Sequence, residues 1–312
     1  MEREPWGVIL AGGDGTRLKT LSRFISGDDR PKQFCALFGG ETLLRRTRTR
    51  IAPAVPVERT LFVVVKPHEP FYRKELAGVD ESRIVVQPAN RGTSAAVLYS
   101  LLRLTRLDDD PIVVFFPTDH EYADEEAFTQ SVRTAVGFAR QHRDRLVILG
   151  ARAERAEMQY GWIEKGPRVE SAGLRDQPIF DVNRFWEKPS SWIAHDLLRK
   201  GCLWNTFVLV GRARTFLDML ASAAPATYQA LEPLGFDPLK ASPLGRGEFD
   251  LAIRSYDGLP NADFSHQVLT TCTKRLAVLG LGEVGWSDLG TPERVRAAAE
   301  SRAHAWLLGC RE

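Results

Sequence analysis

Short, unbroken apolar runs set the strongest limit on what this chain can fold into. Ile112–Phe116 reads IVVFF and Leu61–Val65 reads LFVVV, with no polar break in either. A strand that is apolar at every position buries both of its faces, the situation of a parallel sheet covered by helices on two sides. Gly7–Leu10, Arg83–Val86 and Leu146–Gly150 are further β-rich runs. Between them lie Thr42–Ile51, Ser94–Leu107 and Glu125–Arg143, with apolar residues at spacings of three and four, the helical period. The expected class is α/β, with a mostly parallel sheet and helices on both faces.

After Gly150 the rhythm changes. Short strands are expected at Gly161–Glu164, Val182–Glu187 and Thr206–Val210, among loops and one or two helices. Pro225–Gly247 is rich in Pro, Gly and Leu and reads as helix turns plus loop. A late strand at Lys274–Leu279 leads into GLGEVGWSDLGT, and Pro292–Leu308 reads as a helix with Thr291 as N-cap and Pro292 at its first position. With no internal repeat and no low-complexity linker, one domain with two lobes is the economical reading of 312 residues.

Charge excludes some classes of partner. Lys plus Arg is 42 and Asp plus Glu is 40, so nothing global draws the chain to nucleic acid or anionic lipid. No apolar run approaches the about twenty residues of a membrane span, and MEREPWG has no apolar stretch of a signal peptide behind it. The four cysteines form no CxxC pair, so free thiols are expected rather than zinc, and the cytoplasm is the expected location.

GVILAGGDGTRL, residues 7 to 18, places glycines and a cation directly after the first strand. Such a turn lets amide groups converge on phosphate, and a helix N-terminus adds positive potential. Two familiar versions fail. The chain has no Gly-Lys dipeptide for a Walker A loop, and a dinucleotide fingerprint begun at Gly13 and Gly15 would need glycine where Leu18 stands. What remains is GGxGTR, whose Arg17 suits a larger anionic load. Further motifs follow in order: PKQF (31–34), QPANRGT (87–93), FPTDH (116–120), YGWIE (160–164), WEKP (186–189), LWN (203–205) and GWSDLG (285–290).

With these motifs in this order, from about residue 6 to about residue 295, the chain resembles the sugar-1-phosphate nucleotidyltransferases, and among them most the mannose-1-phosphate guanylyltransferases. The resemblance implies a Rossmann-like α/β domain with a mixed sheet. The nucleotide-binding half would be about 1–112, the sugar-binding half about 113–290 and a C-terminal helix 291–312. It implies transfer of a nucleoside monophosphate from a triphosphate, expected to be GTP, to a sugar 1-phosphate, expected to be mannose 1-phosphate, with Mg²⁺ as cofactor and pyrophosphate released; another triphosphate and sugar pair is the alternative.

The motifs carry roles over residue by residue. Ala11, Gly12, Gly13, Gly15, Thr16 and Arg17 would hold the triphosphate, with Lys32 reaching the same phosphates. Gln87 would read the base edge, where guanylyltransferases often have Glu, and a Gln amide suits guanine or a pyrimidine. Arg91, Gly92 and Thr93 would approach base and ribose. Asp119 and Asp288 would hold Mg²⁺. Lys188 would bind the sugar phosphate, and Glu187, Asn205 and Gly161 the sugar. Arg17, Lys32 and Lys188 form the catalytic set, because two anions must be brought together.

Several residues are read against the family. His120 is expected to be structural, with its ring turned away from Asp119, and Trp162, Trp186 and Trp204 are read first as core and second as walls of the sugar pocket. Thr20 replaces a family proline, and Thr206-Phe207 replaces the common Ser-Gly after Asn205. Asp28 and Asp29, odd beside a phosphate site, are read as an outward-folding flexible lid. Small-molecule substrates are the expected partners, with no nucleic acid and no membrane, and a homodimer is an assembly the sequence permits. No second isomerase or β-helix domain is expected. A non-catalytic sugar-nucleotide-binding relative and a Rossmann oxidoreductase are the alternatives.

Overall fold

The computed structural model describes residues 3–170, 177–235 and 246–309. In chain order the elements are β1 (Trp6–Leu10), α1 (Lys19–Ser26), α2 (Leu43–Ile51), β2 (Thr60–Val65), α3 (Glu69–Glu75), β3 (Ile84–Gln87), α4 (Gly92–Leu107), β4 (Ile112–Pro117), β5 (His120–Glu121) and α5 (Glu125–Gln141). They continue with β6 (Leu146–Arg152), β7 (Gly161–Val169), β8 (Ile179–Glu187), α6 (Ser191–Arg199), β9 (Leu203–Arg212), α7 (Ala213–Ala223), α8 (Pro225–Leu231), α9 (Arg246–Tyr256), β10 (Leu276–Gly280), β11 (Ser287–Asp288) and α10 (Pro292–Gly309). Residues 236–245, the rest of the expected turn-and-loop stretch, lie outside the described residues.

The main sheet has the order β3-β2-β1-β4-β9-β6-β10-β8-β7. Pairings β3–β2–β1–β4 and β6–β10 are parallel, while β8 and β9 run against their neighbours. The sheet is thus mixed and mostly of one direction, as expected. The strands alternate between two cores: Val8, Leu61, Val63, Val113 and Phe115 face one helix layer, and Ile9, Phe62, Val64, Val114 and Phe116 face the other. This is the physical content of the continuous apolar runs.

Topology fixes where a ligand can enter. The chain leaves β1 toward β2 and β3 on one side, then returns to β4 on the other. The carboxyl ends of β1 and β4 therefore flank a switch point, the usual ligand crevice of open α/β sheets. The glycine-rich turn follows β1, and Asp119 follows β4.

β7, β8 and β9 pair antiparallel and carry a layer of tryptophans. Trp162 pairs with Trp186 on one side and with Trp204 on the other. Trp162 and Trp204 are buried and pack edge-on, with Trp286 beside Trp204. These rings form a satellite core under β7, β8 and β9. Cys35, Cys202 and Cys272 carry free thiols, as expected. No helix among the described residues is long and apolar enough to cross a membrane.

Candidate functional site

The glycine turn is shaped by its own backbone and by PKQF. Gly15 sits at φ 61°, ψ 25°, the left-handed region, and starts a 3-10 turn over Thr16–Leu18 that runs into α1. A side chain there would be strained, and its Cβ would stand 3.1 Å from the Lys32 amide. Gln33, which the sequence reading passed over, fastens the turn: its Nε2 donates to the carbonyls of Ala11 (2.9 Å) and Gly13 (2.8 Å). The adjacent Lys32 is thereby carried to the mouth of the crevice.

Lys32 Nζ donates to Asp119 Oδ2 at 2.5 Å and to the Leu289 carbonyl at 3.2 Å. The two expected metal ligands are drawn together by backbone. β5 pairs with β11, setting Asp288 opposite His120, and the Leu289 amide donates to the Asp119 carbonyl at 2.7 Å. Burial works against ionisation of Asp119, but the Lys32 ammonium outweighs it and holds the carboxyl well below the usual carboxylate range. His120 is buried against Trp286, with Tyr122 Oη 3.4 Å from its Nδ1. Its ring does not turn away as expected: Nε2 lies 4.0 Å from Asp119 Oδ1. Burial keeps its pKa below the ordinary value.

Asp288 has partners that the motifs did not reveal. Arg294, in the first turn of α10, donates through Nη1 to both of its oxygens, at 2.8 and 2.9 Å. Through Nη2 the same guanidinium holds Glu157 at 2.8 Å. Tyr160 Oη donates to Asp288 Oδ1, and the Arg294 guanidinium lies over the Tyr160 ring, 4.5 Å from its centroid. Burial and then the Asp288 charge push the Tyr160 phenol far up, so it remains a donor. Arg17 reaches the same corner, donating to Gln159 Oε1 at 2.8 Å. A Cβ on Gly290 would lie 3.2 Å from both Arg17 Nη2 and Arg294 Nη1, so the two guanidiniums flank Asp288 closely.

The residues expected to meet the sugar gather on three strands. Gly161 stands opposite Glu187, and a Cβ on Gly161 would lie 3.0 Å from Glu187 Oε2 and 3.2 Å from Asn205 Cβ. Asn205 Oδ1 accepts from the Phe207 amide (2.9 Å), and its Nδ2 lies 3.4 Å from Ser265 Oγ. Adjacent strand residues would face opposite ways, yet Lys188 Nζ bonds Glu187 Oε1. The strand ends there, and Lys188 takes a left-handed backbone, φ 47°, rare outside glycine. Burial opposes protonation of Lys188, but Glu187 outweighs it and raises the ammonium's pKa. Glu157–Gly161 stitches both ends together, touching Arg294, Arg17, Asp288 and Glu187 in turn.

At the base end, Gln87 closes β3 beside Gly12 and is bonded by Tyr256 from α9. Arg91, Gly92 and Thr93 open α4, but part of this corner is already occupied. Thr93 Oγ1 accepts from the Phe264 amide (2.8 Å), and the Ser94 amide donates to the Ala262 carbonyl (3.0 Å). The Gly92 amide donates to Asn90 Oδ1, whose Nδ2 reaches Asp14. Arg91 Nε is buried without a hydrogen-bond partner among the described residues.

Asp28 and Asp29 are partly exposed, and each has its own cation, Arg30 at 2.7 Å and Arg23 at 2.5 Å. The insertion neutralises itself. A cavity of about 700 Å³ lies behind Asp288 and shares Tyr160 and Arg294 with the site, but Arg17, Lys32, Asp119 and Lys188 do not line it.

The residues present suit a divalent ion. Two carboxylates are hard oxygen donors, and Mg²⁺ usually takes one or two from protein with phosphate oxygens completing its shell. Lys32 holds one oxygen of Asp119; Arg294 and Tyr160 occupy Asp288 Oδ1, while Asp288 Oδ2, bonded by Arg294 alone among the described residues, keeps a lone pair for an ion. No group of three or more His, Cys, Asp or Glu that could hold an ion occurs among the described residues. The donor set therefore fits an ion that arrives with phosphate better than one bound by protein alone.

Comparison with known proteins bears on this geometry. Residues 6–304 match the nucleotidyl transferase family. Xanthan biosynthesis protein XanB of Xanthomonas campestris is 31% identical over 290 residues, 91% of this chain and 57% of its own length. Mannose-1-phosphate guanylyltransferase ManC of Salmonella typhimurium is 31% identical over 296 residues, again 91% and 57%. This chain thus spans little more than half the length of these curated relatives. A Thermus thermophilus crystal structure, described as a mannose-1-phosphate geranyltransferase, superposes with TM-score 0.76 at 32% identity, covering 92% of this chain and 77% of that one. The chain belongs to the nucleotidyl transferase family.

Proposed function

We propose that this chain transfers GMP from GTP to mannose 1-phosphate, giving GDP-mannose and pyrophosphate. The observation that carries this reading is the meeting of Lys32, Asp119, Asp288, Arg294 and Arg17 at one switch-point crevice, with Lys188 and Glu187 on its other lip. A phosphate oxygen of the sugar phosphate would attack the α-phosphorus as the bond to the pyrophosphate oxygen breaks in line. Both partners are anions, so positioning and positive charge outweigh any need for a covalent nucleophile.

The roles follow from the free valences. An ammonium has three donors. Lys32 uses one on Asp119 and one on Leu289, leaving one for a phosphate oxygen. Arg17 and the amides of Gly12–Thr16 would bind the β- and γ-phosphates and offset the leaving charge. Lys188 would turn from Glu187 to the sugar phosphate, freeing the carboxylate to accept sugar hydroxyls. Asp119 and Asp288 would hold Mg²⁺, which supplies charge neutralisation at the phosphates. Guanine and mannose are taken from relatives such as ManC, described as a mannose-1-phosphate guanylyltransferase.

Pyrophosphate release tests the reading: mannose 1-phosphate with Mg²⁺ and, in turn, GTP, ATP, UTP, CTP and dTTP. Release is expected to be fastest with GTP and to require the sugar phosphate. Absence of release with every triphosphate, from folded protein, sinks the enzyme reading.

A further inference from the structure

Gln87 is 2% exposed, and its two amide atoms have different neighbours. Oε1 accepts from Tyr256 Oη at 3.0 Å. Nε2 donates to no described group and lies 3.0 Å from the position a Cβ on Gly12 would take, so it faces the nucleotide loop. An isolated Gln amide is ambivalent, because turning it end for end exchanges a donor for an acceptor of nearly the same shape.

The phenol removes that ambivalence. Tyr256 is 3% exposed at the end of α9, and burial keeps its hydroxyl protonated. Gln87 Oε1 is the only acceptor for that hydrogen among the described residues. Turning the amide would leave the buried phenol hydrogen unpaired, which is costly in a dry site. Gln87 is therefore held with its oxygen inward and its N–H donors toward the glycine loop.

We infer that Tyr256 determines base selectivity by fixing this orientation, so that the site takes bases bearing a carbonyl at the edge read by Gln87 and rejects those bearing an amino group there. The inference rests on the nucleotidyl-transfer reading and deepens it. Guanine and hypoxanthine carry a carbonyl at position 6, and uracil and thymine at position 4. Adenine and cytosine carry amino groups at those positions, which would set donor against donor. A rigid polar group discriminates against a ligand that leaves it unpaired far better than an apolar wall does. Tyr256 touches no substrate here; it acts through Gln87, 169 positions away in sequence.

The test compares inosine triphosphate with ATP, which differ at position 6 of the purine and in the adjoining N1 proton. Their affinities are measured by titration calorimetry with Mg²⁺ for the native chain, Tyr256→Phe and Gln87→Met, with circular dichroism monitoring the fold. The native chain is expected to bind the inosine nucleotide about tenfold or more tighter than ATP. In Tyr256→Phe the amide can turn, and the ratio should fall to about one. In Gln87→Met both amide atoms are gone, so the ratio should again fall to about one. A native preference for ATP, or an unchanged ratio in Tyr256→Phe, overturns the inference. If Tyr256→Phe does not fold, a retained inosine preference in Gln87→Met overturns it. Failure of the native chain to bind any triphosphate refutes the nucleotidyl-transfer reading itself, and the inference with it. Equal binding of both nucleotides refutes the orientation by Tyr256 alone.

Discussion

The two ends of the crevice, proposed here for phosphate and for sugar, hold their charges differently. At the phosphate end, Lys32, Asp119, Asp288 and Arg294 come from distant parts of the chain; Lys32 and Leu289 are 257 positions apart. Their side chains are between 12% and 27% exposed, and each carboxylate is already matched by a cation. At the sugar end, Glu187 and Lys188 are chain neighbours at a strand terminus, and the lysine is 58% exposed. The first arrangement is rigid before any ligand arrives, the condition under which fixed charges lower a barrier most. The second can open, since its ammonium has only to swing off its neighbour. Damage at the phosphate end should appear mainly in kcat, and damage at the sugar end mainly in KM for the sugar phosphate.

The largest expected effect comes from Asp288→Ala. Turnover should fall roughly 10²–10³-fold, as when a preorganised charge-stabilising group is removed elsewhere. Stability has to be followed in parallel, because stripping one partner from a buried pair exposes the other at a cost of about 3–5 kcal/mol. Thermal melts of Asp288→Ala and Asp288→Asn separate the two, since Asn keeps the shape. Turnover near normal in a folded Asp288→Ala would remove Asp288 from the phosphate end.

Next come two substitutions expected to differ in kind. Arg294→Ala should cut turnover about 10–100-fold, the usual cost of losing an outer partner of a ligating group, and should raise the Mg²⁺ concentration needed for half-maximal rate. Lys188→Ala should raise KM for mannose 1-phosphate by about 10–100-fold, the worth of a hydrogen bond to a charged group, with KM for the triphosphate near the native value. A fall in kcat alone for Lys188→Ala would erase the contrast between the two ends.

How far these ends could be read from sequence follows the same division. β1, β2 and β4 are plain in the sequence because strands buried on both faces admit no polar break. That the glycine turn, PKQF, Asp119 and Asp288 would gather in one place is legible because short motifs keep side chain and backbone together. Arg294, Tyr160 and Gln159 are not, because their partners are set by tertiary contacts across 137, 128 and 142 positions. β9 extends to ten residues, well past the expected Thr206–Val210, because Asn205 breaks its apolar pattern while its backbone stays in the ladder. α7 has no N-cap side-chain hydrogen bond to announce it. Tyr256 gave no signal, since nothing in a lone tyrosine tells which buried amide it will meet.

A subtler way to sharpen the contrast is Gly161→Ala. The added methyl would stand 2.8 Å from Phe185 Cζ and 3.0 Å from Glu187 Oε2. The Phe185 ring and the Glu187 side chain must both yield. KM for the sugar phosphate should rise about tenfold, below the hundredfold that a full ångström of misplacement can cause, while triphosphate binding by calorimetry stays unchanged. Weakened triphosphate binding instead would mean that the two ends are mechanically coupled through Glu157–Gly161.

The smallest effect is a matter of pH, and it belongs to Glu187. Burial raises its carboxyl above the ordinary value of 4.5, and the Lys188 hydrogen bond offsets only part of that. The folded chain then holds this proton more tightly than the unfolded chain does. Glu187 therefore adds to stability below the unfolded pKa, and the contribution fades as pH rises through the higher folded value. Sugar binding runs in the opposite sense, because only the ionised carboxylate accepts from two sugar hydroxyls. As pH falls through the raised value, KM for mannose 1-phosphate should climb about three- to tenfold, the worth of a neutral hydrogen bond. The substrate's own phosphate titrates as well, so the comparison is with Glu187→Gln, in which the protein's part of the step should vanish and the phosphate's part remain. Identical pH profiles for the two proteins would show that Glu187 does not meet the sugar, and the open end of the crevice would then rest on Lys188 and Asn205 alone.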